Sequence, residues 1–210
     1  MALTVAIDGP ASSGKSTIGK RLADELDLTF LDTGLLYRAV AHKLLRDGPS
    51  DDGGDEIPAG AVDSASHLTL ADLDHPELSD EEVGAMASTV AALAPVREAL
   101  LPFQRRIASS AGGALLAGRD IGSVVCPDAD RKIFVTATAE VRARRRLEQL
   151  HRRGRAAIYD EVLAELRRRD QRDRERAASP LIVAEDAFLL DTSEISVEEA
   201  VDRARSFIIG

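Results

Sequence analysis

The 210-residue chain has one cysteine, Cys126, and no asparagine, and aromatic residues make up only 3% of it. A lone cysteine cannot close an internal disulfide, which agrees with a reducing, cytoplasmic setting. The absence of asparagine excludes the N-K-x-D element by which switch GTPases read guanine. So few aromatics leave little to stack on nucleic-acid bases. No apolar run approaches the length of a membrane-spanning helix. Met1 to Ile7 carries no basic stretch, so no secretory leader is expected. There is no internal repeat and no low-complexity tail. What is there, 44% hydrophobic and 30% charged residues with a mean hydropathy of −0.12, excludes wholesale disorder and a membrane bundle. The length suits one α/β domain with inserted lobes.

The net charge of −9 conceals a strong segregation. From Asp47 to Glu82 there are twelve acidic residues and no lysine or arginine, a local −12. From Arg131 to Arg176 there are fifteen basic residues against eight acidic ones, a local +7. The acidic run reads as a solvated insert, whereas the basic run calls for an anionic partner.

Leu3 to Asp8 reads as a strand, followed by a Gly/Ser-rich turn and a helix with Ile18, Leu22 and Leu26 on one face. A second strand is predicted at Thr29 to Leu31, then a helix from Leu35 to Leu45 with Leu36, Val40 and Leu44 inward. Asp47 to Gly60, dense in Asp, Gly and Pro, reads as a loop. Glu82 to Ala111 is helical in pattern, with Pro95 and Pro102 expected to break or restart it. Strands are expected at Ala114 to Gly118, Lys132 to Ala137 and Ala187 to Leu190. Arg-rich helices flank Gly154, and Ser196 with Glu199 suggests a capping box for a C-terminal helix. This alternation predicts a five-stranded parallel sheet of the P-loop NTPase type with helices on both faces.

Gly9, Pro10, Ala11, Ser12, Ser13, Gly14, Lys15 and Ser16 fit G-x-x-x-x-G-K-[ST] between a predicted strand and a predicted helix. Successive amides and the positive helix end then face a polyphosphate. Lys15 reaches the outer phosphates, Ser16 ligates Mg²⁺, and Thr17 adds an inner-phosphate contact. ATP with Mg²⁺ is therefore the expected donor. The basic run suits an acceptor that is itself a phosphate ester, because arginine's planar fork clamps phosphate oxygens and keeps its charge in a closing site. Such a lid also excludes water.

Further blocks accompany the loop in chain order: Leu31-Asp32-Thr33-Gly34-Leu35-Leu36-Tyr37-Arg38, Pro95-Val96-Arg97-Glu98-Ala99-Leu100, Gly118-Arg119-Asp120-Ile121-Gly122, and Arg169-Asp170-Gln171-Arg172-Asp173-Arg174-Glu175-Arg176. Together with Asp8-Gly9-Pro10 onward, and with Leu190-Asp191-Thr192 near the end, the chain resembles the bacterial cytidylate kinases, a branch of the P-loop nucleoside monophosphate kinases. The resemblance implies one kinase domain over 1–210, an acceptor-binding lobe at about 38–112 and a mobile lid at about 142–172. It implies that Arg38 and Arg119 hold the acceptor phosphate. Thr33, Arg97, Asp120 and Arg176 match positions around the cytosine, where a carboxylate accepting from the exocyclic amine favours cytosine over uracil. Ser88, Arg169 and Asp173 match positions near the ribose, and Arg169 can also swing onto the transferring phosphate. Tyr37 either packs beside the site or touches ligand. Lys15, Arg38, Arg119 and Arg169 are the expected catalytic set. Arg169, Asp173 and Arg176, four and three apart, would share a helical face.

The implied activity is phosphorylation of CMP and dCMP by ATP, by a cytoplasmic monomer with no nucleic-acid or membrane partner. Two alternatives stay open at this point: another P-loop small-molecule kinase acting on UMP, shikimate or dephospho-coenzyme A, and a nucleic-acid-binding protein using the basic run. Asp32 either orients a Mg²⁺-bound water or caps the next helix. His42, His67, His75 and His151 show no metal-ligand spacing and read as surface or packing residues. Cys126 reads as a small buried apolar residue.

Overall fold

The computed structural model describes residues 2–47 and 60–210, so most of the loop expected from Asp47 to Gly60 lies outside the described residues. In chain order the elements are β1 (Thr4–Asp8), α1 (Lys15–Leu26), β2 (Thr29–Asp32), α2 (Gly34–Asp47), α3 (Ala61–Ser66), α4 (Glu81–Val90), α5 (Ala94–Ala108), β3 (Ala114–Gly118), β4 (Arg131–Thr136), α6 (Ala139–Arg152), α7 (Tyr159–Glu175), β5 (Phe188–Asp191) and α8 (Val197–Ile209). Short 3₁₀ turns at Leu70–Leu73 and Pro76–Ser79 separate α3 from α4, and a π turn at Ile121–Val125 follows β3.

Two compact units are present, Met1–Leu31 with Ile107–Gly210, and Asp32–Arg106. The first is built on a five-stranded sheet of order β2-β3-β1-β4-β5. β1 pairs in parallel with β3, Asp8 opposite Gly118, and with β4, Asp8 opposite Phe134. Val5, Ala6 and Ile7 are fully buried, as the central strand of a covered parallel sheet should be. Their core continues through Ile18 and Leu22 of α1, Leu115, Ile133 and Val135 of the flanking strands, and Val201 and Ala204 of α8. Burying each large aliphatic side chain stabilises the fold by roughly 1.5–3 kcal/mol. Strand order reverses at β1, so the loop leaving its carboxyl end opens into the crevice where such sheets bind ligands.

A second apolar cluster in this unit joins α6 and α7 through Ala143, Leu150, Val162 and Leu166, and it includes Ala11 of the loop after β1. The arginine-rich hairpin thus has a core of its own. At the C-terminal helix, Ser196 accepts the Glu199 amide at 3.1 Å, while the Glu199 carboxylate takes Arg203 at 2.6 Å. The expected box is therefore present in its first half, with the second carboxylate drawn into an i,i+4 pair.

In the second unit α2 buries Leu36 and Val40, as its periodicity predicts, and α4 and α5 bury Val83, Ala87, Val96 and Leu100. Pro95 stands in the first turn of α5, where a missing amide costs nothing. Pro102 does not break that helix as expected: α5 runs through it to Ala108. Leu100 and Phe103, buried on either side of Pro102, hold the helix against the unit's core despite the lost hydrogen bond.

Candidate active site

The loop from Gly9 to Ser16 takes the shape its glycines require. Gly9 has φ +150° and Gly14 +98°, and a Cβ on Gly9 would stand 2.0 Å from the Val135 carbonyl oxygen of β4. Gly14 caps α1 without any side-chain hydrogen bond, and the first turn of α1 holds no acidic residue, so the helix's positive end is not neutralised locally. The Ser13 hydroxyl is wholly buried and finds no hydrogen-bond partner among the described residues. Lys15 is buried and donates to the Pro10 carbonyl at 3.0 Å across the loop. An orphaned buried hydroxyl, a lysine folded over the loop and a helix start with no side-chain cap fit a polyphosphate. Ser16, half-buried in the first turn of α1, supplies the hard oxygen that Mg²⁺ prefers. Thr17 is exposed.

Asp8, at the end of β1, is a site residue that sequence reasoning quoted but gave no role. Its carboxylate accepts the Ile121 amide at 2.8 Å and the Gly122 amide at 2.7 Å. Burial pushes its pKa from 3.8 up to about 6, with Asp120 adding to the rise and the two amides and Lys15 opposing it. Asp8 thereby ties the segment carrying Arg119 and Asp120 to the strand that leads into the phosphate loop. Its place immediately before Gly9 was the available signal.

Arg119 donates through Nε to Asp173 at 2.7 Å, both side chains mostly buried. Burial raises the Asp173 pKa, but Arg119, then Arg169 and Arg176, outweigh it and hold the carboxyl below its ordinary value. Arg176 lies 4.0 Å from Asp120, each with a side-chain exposure of 7%, and donates through Nε to the Ser179 carbonyl at 2.6 Å. Arg119, Asp120, Arg169, Asp173 and Arg176 are therefore gathered in one charged cluster. The shared helical face is only partly realised: α7 ends at Glu175, and Arg176 is its cap, with ψ 137° outside the helical range.

Two arginines of the basic run are bonded to the protein itself. Arg142 is buried and fork-bonded to Asp170 at 3.0 and 2.6 Å, while donating to Ala137 at 2.9 Å and to Ala11 of the phosphate loop at 3.2 Å. Arg145 donates to the Thr192 hydroxyl at 2.9 Å and to its carbonyl, and that hydroxyl in turn donates to the Ser13 carbonyl at 3.0 Å. Desolvation lowers the Arg145 pKa from its usual value. These residues buttress the phosphate loop from behind. Spacing alone could not single them out from their neighbours.

In the second unit, Asp32 at the end of β2 accepts the amide of Gly34, the first residue of α2, at 3.0 Å, an i→i+2 turn at the strand–helix junction. Thr33 is buried at the same helix start. Arg38 donates to the Leu78 carbonyl at 2.6 Å and the Asp80 carbonyl at 3.3 Å. The Arg97 guanidinium lies over the Tyr37 ring at 5.4 Å and donates to Ala91 at 3.0 Å. Tyr37 thus packs against one of the expected recognition arginines. Ser88 is half-buried on α4. The described part of the acidic insert is tied down as well as solvated: Asp72 meets Lys43 at 3.0 Å. His42, His75 and Glu77, which show no ligand spacing in sequence, converge here. Cys126, in the first unit, is half-buried rather than buried, because it follows directly on the π turn, donating to Ile121 at 2.7 Å.

The chain matches a family model described as cytidylate kinase over residues 5–208. A cytidylate kinase of Azorhizobium caulinodans is 50% identical over 206 residues, covering 98% of each chain. One from Cereibacter sphaeroides is 51% identical over 204 residues, covering 97% of this chain and 94% of the other. Among solved structures, an uncharacterized protein from Eubacterium ventriosum aligns with a TM-score of 0.57 at 13% identity over 98% of each chain. A shikimate kinase from Bacteroides thetaiotaomicron aligns at 0.50 and 16% identity over 97% of this chain and 96% of the other. The structural likenesses bear on the fold alone.

Proposed function

The chain belongs to the cytidylate kinase family, and from that premise we propose how its own residues carry out the transfer of the γ-phosphoryl group of ATP to CMP. In this reaction the bond from the γ-phosphorus to the β,γ-bridging oxygen breaks, and a bond from a CMP phosphate oxygen forms. The products are ADP and CDP. The acceptor oxygen is already anionic near neutral pH, so alignment and charge neutralisation are the main tasks.

Lys15 exchanges its Pro10 carbonyl for phosphate oxygens, and the Ser13 hydroxyl gains the partner it lacks. The amides from Gly9 to Thr17 hold the donor's phosphate chain. Ser16 holds Mg²⁺, which when bound neutralises charge on the β and γ oxygens. Arg38 and Arg119 grip the CMP phosphate, and Arg169 moves onto the transferring group. Thr33, Arg97, Asp120 and Arg176 read the cytosine, with the Asp120 carboxylate accepting from the exocyclic amine. Ser88, Arg169 and Asp173 face the sugar, and dCMP is an acceptor as well. The helices within about 142–172 close as a lid. The rival small-molecule kinase and nucleic-acid readings are not favoured beside relatives at about 50% identity. No described helix is long and apolar enough to cross a membrane, and we place the enzyme in the cytoplasm as a monomer.

The observation that carries the residue assignment is the buried quartet Arg119, Asp173, Arg176 and Asp120. Two arginines and two aspartates, from just after β3 and from the end of α7, converge there with the mix of donors and acceptors that a phosphorylated, hydrogen-bonding ligand needs. A coupled assay of ADP release across CMP, dCMP, UMP, AMP and GMP tests it. CMP and dCMP are expected to turn over fastest; equal or faster turnover of UMP or AMP overturns the cytosine assignment.

A further inference from the structure

Side chains from two distant stretches of the chain meet on the second unit's surface. His42 stands on α2, one turn after Arg38, and His75 and Glu77 flank the start of the Pro76–Ser79 turn. His42 Nε2 lies 2.7 Å from Glu77 Oε2, and His75 Nδ1 lies 3.9 Å from the same oxygen. The two imidazole rings sit with centroids 4.4 Å apart, tilted by 36°. All three ligand atoms fall within 4.8 Å of one another, and among the described residues no other group of histidine, cysteine and carboxylate side chains does so.

We propose that His42, His75 and Glu77 form a binding site for a zinc-class dication, which staples the Pro76–Ser79 turn to α2. Bonds of roughly 2.0–2.1 Å in a tetrahedron set ligand atoms about 3.4 Å apart. The observed separations bracket that value, so small rotations of two side chains complete the geometry. Those two are free to rotate, with side-chain exposures of 47% for His75 and 62% for Glu77, whereas His42, at 11%, is fixed by packing. The open side leaves the fourth position to water.

Two imidazoles and one carboxylate select Zn²⁺, or Co²⁺ in its place, over Mg²⁺, which demands six oxygens and keeps its waters. This separates the site from the phosphate loop, whose donor set is hydroxyl and phosphate. The staple would fix the strip of backbone that Arg38 grips through the Leu78 and Asp80 carbonyls. The metal site itself does not depend on the role given to Arg38.

The test titrates the full, nucleotide-free chain with ZnCl₂ and separately with CoCl₂, in excess Mg²⁺. One equivalent of Zn²⁺ should bind and raise the melting temperature, and Co²⁺ should show the intense visible bands of tetrahedral coordination. His75→Ala and Glu77→Gln, both exposed substitutions, should each weaken binding at least about 10–100-fold, the loss that even outer-shell partners produce. Both should leave turnover of CMP with Mg²⁺ and ATP unchanged. Absence of stoichiometric Zn²⁺ binding overturns the proposal. So does binding of undiminished affinity in both variants, or an octahedral Co²⁺ spectrum in the parent protein.

Discussion

Arg142 with Asp170, and Arg176 with Asp120, are both buried arginine–aspartate pairs in the unit that carries the phosphate loop, yet their surroundings differ. The first is a two-point fork at 3.0 and 2.6 Å, with two further N–H groups given to the Ala137 and Ala11 carbonyls. The second is held 4.0 Å apart, beyond hydrogen-bond range, next to the closely paired Arg119 and Asp173. Within one arginine-rich run, then, the geometry of the ion pair, a close fork in one case and a 4.0 Å contact in the other, distinguishes two arginines that charge and spacing do not.

The sharpest way to break this contrast is to remove one member of the forked pair. Arg142→Met leaves Asp170 buried without its partner and should cost about 3–5 kcal/mol. Urea unfolding of the free enzyme measures this, and a loss under 1 kcal/mol would place Arg142 with the ligand-binding arginines instead. Next in size is Lys15→Met, which should lower kcat by about 10²–10³ while shifting the unfolding midpoint less than Arg142→Met does, since the bond from Lys15 to the Pro10 carbonyl is to a neutral group. Steady-state kinetics beside unfolding checks both halves.

A smaller effect sharpens the other side. Asp120→Ala should reduce the preference for CMP over UMP by about 5–150-fold, the usual worth of 1–3 kcal/mol, with the KM for ATP nearly unchanged. Competition assays with both acceptors read it directly. Unaltered preference would remove Asp120 from base recognition and make its pairing with Arg176 structural, like that of Arg142.

Much of this was legible in the chain. The strand, loop and helix around Gly9 to Ser16 form a contiguous motif whose residues act through their own backbone, so sequence order and spatial order coincide. The periodic apolar faces of α1 and α2 were equally plain. Arg38, Arg97, Arg119 and Arg176 are different: they come from separate elements, and only resemblance to a family assigned them. Arg142 was hidden because its role depends on carbonyls at Ala137 and Ala11 that no side-chain pattern encodes. His42, His75 and Glu77 were hidden because the fold, not their spacing, brings them together. Pro102 misled because propensity is local, whereas the burial of Leu100 and Phe103 that overrides it is not.

The last expected effect concerns Asp8, which links the phosphate loop to the segment carrying Arg119 and Asp120. Its pKa is about 6 in the folded chain against 3.8 as the ordinary value, because burial disfavours its charge. Between those values the folded state binds more protons than the unfolded one, so Asp8 makes stability fall as pH rises from 3.8 to about 6 and adds no slope above that. Rate profiles do not isolate this group, since a nucleotide phosphate also titrates near pH 6. Unfolding midpoints of the free enzyme do. The stability of the parent protein relative to Asp8→Asn should decline across that window and then level off. A constant difference from pH 4 to 7 would mean that the amides of Ile121 and Gly122 compensate for burial, leaving Asp8 an ordinary ionised anchor.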